Sequence, residues 1–446
     1  MRSELIWEQD GKPVLPETLS LPLTSPDWTH AHPTAPWNPA SKSLNPERIK
    51  IQLGFQCNYS CAYCSQSAVR KQEQHKRPDE ELVQTFLTQL SSWYRGGGNG
   101  RGLGTQFEFW GGETLLYWSS VVKLARHLRE HYPEVGLVLF TNGSLIKPEM
   151  IDLAREYRIK FSISHDGPGF KKVRNKRDPL SEEGNLKNIK DLFQVLSPLG
   201  LVSFNAALTP DNHSLLDIRR HIAAALSVAE REVILSFDIV TPYDDRGLSH
   251  VIHPERWTTF IQSVFQDLKA IPLSELHVGS LDRLLLSFYK FFRLRQPAAS
   301  LTQRCNMDSP DFLAVDLKGN VLTCQNVSAQ SGHAIGHTQE YDKIRLHTAY
   351  HWSQRAECGQ CPVLMLCRGA CMFLENKLWS FACDQFFAFH LPILAFALYL
   401  ATDRELVRIE GANIRGQEGC NEVPVLQHLP KRPIHALGAQ AQCQSH

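Results

Sequence analysis

Net charge is the first thing this sequence lacks: 47 Lys and Arg stand against 46 Asp and Glu, a formal +1 over 446 residues. Without a basic excess there is no electrostatic footprint for a nucleic-acid backbone or an anionic bilayer, so partners of neither kind are expected. A secretory h-region is missing too. Met1–Pro13 is polar and charged, with no small-residue cleavage site, which predicts a cytoplasmic chain. Nor is there an unbroken apolar run of bilayer length. The most apolar stretch, Phe386–Leu400, is interrupted by His390 and Pro392 and falls short of the ~20 residues a spanning helix needs, so a buried helix is expected there.

What the chain does have is cysteine. Twelve cysteines in a reducing compartment point to metal ligation or catalysis rather than disulfides. Three of them, Cys57, Cys61 and Cys64, form a C-x3-C-x2-C loop directly after an apolar run that reads as a strand. Zinc sites usually complete a C-x2-C with a second pair or with histidines, and no such partner lies near residues 57–64. A loop of this length can instead wrap three thiolates around one 4Fe-4S cluster, leaving the fourth iron open to a small molecule. With Tyr63 before the last cysteine, the triad resembles the signature of the radical S-adenosylmethionine (radical SAM) superfamily. That resemblance implies a 4Fe-4S cluster that chelates S-adenosyl-L-methionine at its open iron and cleaves it reductively to a 5′-deoxyadenosyl radical.

From residue 48 strand-like and helix-like segments alternate. Strands are expected at Arg48–Phe55, Gln106–Trp110, Val135–Phe140, Lys160–Ser164, Leu201–Leu208 and Val233–Val240. Helices are expected at Asp79–Arg95, Ser119–His131, Ile146–Tyr157, Glu183–Leu196 and Ser214–Ala229. Six such units predict an α/β fold, a partial (β/α)6 TIM-like barrel, with ligands at the carboxyl ends of the strands. The triad follows the first strand, Gly111-Gly112-Glu113 the second, Thr141-Asn142-Gly143 the third and Ser164-His165-Asp166-Gly167-Pro168 the fourth. Paired glycines let backbone approach a ligand closely, and a carboxylate after them can accept from an ammonium. By resemblance, Gly111, Gly112 and Glu113 hold the cosubstrate's amino group, Ser164 contacts its ribose, and Arg174 or Arg177 its carboxylate, with Arg174 preferred. His165, Asp166, Asp238 and Tyr243 near strand ends read as structural hydrogen-bonding residues.

A second constellation runs from Cys305 through Gly319, Cys324, Cys358, Cys361, Cys367 and Cys371 to Cys383. Its order and spacing resemble the SPASM extension of radical SAM enzymes, which implies two auxiliary 4Fe-4S clusters. By that pattern Cys358, Cys361, Cys367 and Cys383 hold one, and Cys305, Cys324 and Cys371 the other, with its fourth position open or filled by Asp308 or Asp311. The implied layout is an irregular extension at 1–47, a barrel at 48–250, a helical bridge at 251–304, a cysteine-rich SPASM domain at 305–400 and a mobile tail at 401–446 in which Cys420 and Cys443 are bystanders.

The SPASM group is dominated by maturases of ribosomally made peptides, so the resemblance implies a radical SAM oxidoreductase acting on a peptide or protein substrate, with a flavodoxin- or ferredoxin-type reductant. Anaerobic sulfatase maturases carry an aspartate base after the second SPASM cysteine. Here Gln325 stands there, and an amide cannot take that proton, which disfavours formylglycine formation. Residues 1–47 are too short and proline-rich for a leader-binding domain, so a separate leader-peptide-binding protein is one expectation. A dehydrogenase or epimerase of a small-molecule intermediate is the competing one, and a non-catalytic metal scaffold a third.

Overall fold

The computed structural model describes residues 4–9, 12–14, 41–72, 78, 80–96, 104–175, 177–272, 302–346, 351–358, 361–402, 405–412, 420–424 and 433–437. Cys443, most of the 1–47 extension and residues 273–301 of the helical bridge lie outside them. The first strands are β1 (Glu4–Gln9), β2 (Lys12–Val14) and β3 (Arg48–Gln52). Then come β4 (Gln106–Trp110), β5 (Gly136–Thr141), β6 (Ile159–Ser164), β7 (Val202–Leu208) and β8 (Leu235–Ile239). The C-terminal half adds β9 (Phe312–Asp316), β10 (Asn320–Leu322), β11 (Ala334–His337), β12 (Glu405–Ala412), β13 (Cys420–Pro424) and β14 (Pro433–Leu437).

The main sheet runs β11-β10-β9-β3-β4-β5-β6-β7-β8 and is parallel from β9 to β8. All six expected strands are present, and the fold is the expected α/β partial barrel. What the local pattern could not give is β9, which pairs in parallel with β3 from Arg48↔Phe312 to Gln52↔Asp316 and carries the β10–β11 hairpin with it. The cysteine-rich half is therefore stitched into the barrel sheet.

Strand alternation builds two surfaces. Ile49, Ile51, Phe107, Phe109, Leu139, Phe161, Ile163 and Phe204 are fully buried, each contributing about 1.5–3 kcal/mol of apolar burial. The alternate residues on β3, β4, β6 and β7 are polar: Lys50, Gln52, Glu108, Lys160, Ser162, Ser203 and Asn205. Most barrels fill their interior with branched apolar side chains; this one lines it with hydrogen-bonding groups.

Helices Glu80–Trp93, Trp118–His131, Pro148–Glu156, Glu183–Leu196 and Leu215–Leu226 cover the sheet through apolar faces such as Val83, Phe86, Leu90 and Trp93. Pro148 opens its helix at the first position, two residues later than the apolar pattern suggests, because a proline is best tolerated there. The bridge contains the helix Trp257–Ala270.

The apolar stretch lies in a 27-residue helix, Asn376–Thr402, that runs on through Pro392. It is thus long and apolar enough to cross a bilayer, contrary to the expected shortfall, but 83% of its apolar window is buried within the protein. Phe387 packs on Trp257, and Phe389 on Phe237 of β8. In the expected irregular extension and mobile tail, β1, β2 and β12–β14 form a second sheet, order β13-β12-β14-β1-β2, with Cys420 opposite Ala412.

Candidate active site and buried cysteine sets

The triad occupies the loop after β3, at the carboxyl edge of the parallel strands, and all three thiols are half-buried. The loop is held mainly through its backbone. Gly112 N–H donates to Gly54 O (2.9 Å), Glu113 N–H to Gln56 O (2.7 Å), and Tyr117 Oη accepts from Gln56 N–H (2.8 Å). A Cβ on Gly112 would stand 2.3 Å from Gln56 O, and one on Gly111 2.8 Å from Gly54 O. The cysteine loop therefore demands the paired glycines by itself, whatever ligand also approaches them. Arg70 donates to Tyr59 O and Cys57 O, and Ala62 N–H to Val173 O.

Glu113 is 1% exposed, and its carboxylate accepts from Leu115 N–H (3.0 Å), Thr141 Oγ1 (2.6 Å) and Asn142 N–H (2.7 Å). Burial raises its pKa against those three donors. It ties the second strand end to the third, whose Asn142 in turn donates to Asn58 of the cysteine loop. Ser164 ends β6, opposite Asn205 of β7.

Asp166, expected as a structural hydrogen-bonding residue, is fully buried. Its carboxylate takes both arms of the Arg174 guanidinium (2.7 and 2.9 Å), accepts from Ala207 N–H (2.9 Å) and is hydrogen-bonded by Tyr63 Oη. Arg174 Cζ lies 5.5 Å from the centre of the Tyr63 ring. Tyr63 and Arg174 are thus brought together by an acid that the spacing did not single out. Arg177 instead offers its backbone carbonyl to Tyr59 Oη (2.8 Å). His165 accepts at Nδ1 from Gly167 N–H and meets Asp178 through Nε2 at 2.9 Å, with His221 alongside; it buttresses the Arg174 segment.

The later cysteines form two sets. Cys305, Cys324 and Cys371 are within electrostatic reach of Tyr243, whose Oη lies 3.4 Å from Cys371 Sγ. Cys358 is in reach of Cys361, Cys367 and Cys383. Asp308 uses both carboxylate oxygens to accept from Gln303 N–H (3.1 and 3.0 Å), while Arg48 N–H donates to the backbone carbonyl of Asp311. Lys42, just before β3, donates to Met307 O, Ser309 O and Phe312 O, all at 2.8 Å, clamping the turn that carries Cys305.

These thiols fit a metal cofactor by their chemistry. Burial pushes Cys57 up to about 11, Cys61 to about 12, Cys305 to about 12, and Cys324 and Cys367 to about 11, so each stays protonated unless a cation or metal takes its proton's place. Cations are nearby: Arg70 by Cys57, Arg174 by Cys61, Lys50 by Cys305 and Cys324, Arg355 by Cys371 and Arg304 by Cys367. Ten free cysteines in three groups, each beside buried positive charge, suit anionic iron–sulfur groups.

Comparison with known proteins agrees with this geometry. Residues 51–221 match the family model described as the radical SAM superfamily. The chain is 20% identical over 358 residues to a serine-type anaerobic sulfatase-maturating enzyme of Bacteroides thetaiotaomicron, covering 72% of this chain and 80% of that one. It is 23% identical over 221 residues to the radical SAM cyclopropyl synthase TigE of Paramaledivibacter caminithermalis, spanning 46% of itself but only 44% of TigE. In fold it resembles anSMEcpe, solved with bound AdoMet and a Cp18Cys peptide, with TM-score 0.55 and 17% identity over 79% of this chain and 99% of that one.

Proposed function

Because this chain belongs to the radical SAM superfamily through the domain at residues 51–221, we propose that it is a maturase that abstracts hydrogen from a peptide or protein substrate. When bound to Cys57, Cys61 and Cys64, a 4Fe-4S cluster with S-adenosyl-L-methionine at its open iron supplies one-electron cleavage of the sulfonium and a 5′-deoxyadenosyl radical. The observation that carries the reading is the half-buried triad at the carboxyl edge of β3, bonded through its backbone to Gly112 and Glu113.

In this reading Gly111, Gly112 and Glu113 present backbone groups and a carboxylate edge to the cosubstrate's amino group, and Ser164 faces its ribose. Tyr63 and Arg174 act as one unit through Asp166, so the guanidinium enters the site already oriented and partly neutralised. The polar interior offers donors and acceptors to a polar main chain, which supports a peptide over an apolar substrate. Two auxiliary 4Fe-4S clusters on the Cys305/Cys324/Cys371 and Cys358/Cys361/Cys367/Cys383 sets would make the C-terminal half a SPASM domain. A separate leader-binding protein, a flavodoxin- or ferredoxin-type reductant and a cytoplasmic location belong to the same proposal.

Gln325 keeps formylglycine chemistry disfavoured: its Oε1 is taken up by Lys50 Nζ at 3.2 Å, and it has no basic site at neutral pH. Anaerobic reconstitution followed by dithionite should release 5′-deoxyadenosine, and co-expression with a neighbouring small peptide should change that peptide's mass. An unmodified peptide beside turnover of a small alcohol or amine would reject the maturase reading.

A further inference from the structure

The two later cysteine sets differ in what surrounds them. Lys50 projects from β3 into the polar interior, is 7% exposed, and within the described residues pairs with no carboxylate; its ammonium meets Gln325 Oε1 at 3.2 Å and the face of Trp110 at 5.7 Å. Glu108, beside it on β4, is engaged by Arg48, Gln106 and Trp110. The Lys50 charge is therefore free to act on Cys324, where it is the leading charge, and on Cys305, where the Asp308 carboxylate opposes it. From the other edge of the open barrel, just past β8, Tyr243 brings its hydroxyl to 3.4 Å from Cys371 Sγ. Asn326 N–H lies 3.4 Å from Cys324 Sγ as a further donor. Once these sulfurs are thiolates, each of these groups can only donate or attract.

In the four-cysteine set the donors to sulfur at Cys367 are the backbone N–H groups of Gly369 and Ala370, with no side-chain donor or unpaired lysine among the described contacts of Cys358 and Cys367. The cation near Cys367 is Arg304, which also reaches Cys305 and is tied to the Asp238 carboxylate at 2.6 Å, so its charge does not favour the four-cysteine set over the other. Hydrogen bonds to ligand sulfurs and uncompensated positive charge both favour the more negative, reduced state of an iron–sulfur group. A fourth thiolate favours the oxidised state.

We propose that Lys50 and Tyr243 are positioning residues that hold the Cys305/Cys324/Cys371 site at a higher reduction potential than the Cys358/Cys361/Cys367/Cys383 site. The inference rests on the proposed auxiliary clusters. It makes the site beside the barrel interior the stronger electron acceptor of the two, and it gives the buried lysine a purpose that packing alone does not.

The test is a potentiometric titration of the full-length, anaerobically reconstituted protein, read by electron paramagnetic resonance, with iron counted in parallel. Tyr243→Phe and Lys50→Met should each move one midpoint to lower potential, leave the others in place and keep the iron at about twelve per chain. Lys50→Arg should restore the wild-type midpoint, which a purely steric role for Lys50 would not require. Unmoved midpoints in both variants overturn the inference, and so does loss of about one iron in Tyr243→Phe, since the phenol would then be a ligand. Wild-type protein holding only about four irons would instead overturn the auxiliary-cluster reading on which it rests.

Discussion

The two cysteine regions are built on opposite plans. The triad is local: three thiols within eight residues, half-exposed, on a loop whose shape is fixed by backbone bonds to neighbouring strand ends. The later seven are spread from residue 305 to residue 383, with Cys324, Cys358 and Cys361 buried, and they converge only because β9 docks beside β3 and the Asn376–Thr402 helix packs under β8. An open site suits a small molecule that must enter and leave. The later region is the more closed of the two, with three of its seven thiols buried and four half-buried, which suits charge that must be stored away from water. The contrast is what the proposed division between radical chemistry at the triad and electron handling at the later sets requires.

The harshest way to break it is to remove one region and keep the other. Replacing Cys57, Cys61 and Cys64 together by Ala should abolish S-adenosylmethionine cleavage and lower bound iron by about four of about twelve, since the later sets share no side chain with the triad. Retention of 5′-deoxyadenosine production would mean that the wrong region had been assigned the reaction.

Next in size is Asp166→Asn. The variant leaves the buried Arg174 guanidinium without its counter-charge, and breaking such a pair costs about 3–5 kcal/mol. Thermal unfolding should occur at lower temperature, and S-adenosylmethionine affinity measured by calorimetry should fall, while the later clusters keep their spectra. If affinity is unchanged, Tyr63 and Arg174 do not act through Asp166. Gly112→Ala should follow, because its new Cβ meets a backbone oxygen that cannot turn aside, a strain of about 1–3 kcal/mol. The strain falls on the triad loop, so the iron lost on dilution should come from that site first; uniform loss from all sites would contradict the local plan.

How much of this was legible in the sequence follows the same division. Ile49 and Ile51 alternating with Lys50 and Gln52, and Phe107 and Phe109 with Glu108, announce their strands, and the triad declares itself by spacing. The period of two could also have shown that the barrel interior is polar, a signal present in every strand from β3 to β7 except β5. The meeting of Tyr243 with Cys371 was hidden, because 128 positions separate them and nothing in either neighbourhood points to the other. The same is true of β9 beside β3, and of Lys42 reaching 265 residues along the chain to the Cys305 turn. Asp166 was visible as a strand-end residue, but its role depends on a buried arginine eight positions on, and only the fold tells which arginine of the basic loop turns inward.

The smallest effect probes how closed the later region is. His390 sits fully buried on the helix that carries Cys383, and burial, helped by the nearby Arg304 charge, lowers its pKa from 6.5 to about 3. Its Nδ1 meets Phe386 O at 2.6 Å, while Nε2 is buried without a hydrogen-bond partner. Below about pH 6.5 the unfolded chain takes a proton that the native imidazole refuses, so stability falls as pH drops toward about 3, by up to about 1.4 kcal/mol per pH unit from this group. His390→Leu removes that proton uptake from the unfolded state. The fall in denaturant midpoint between pH 6.5 and 4.5 should therefore be shallower in the variant, with near-neutral pH stability little changed, since one unsatisfied polar atom is lost along with one hydrogen bond. Identical pH slopes in the two proteins would show that water or acid reaches this helix, and the later cysteines would then not be as insulated from solvent as the comparison with the triad requires.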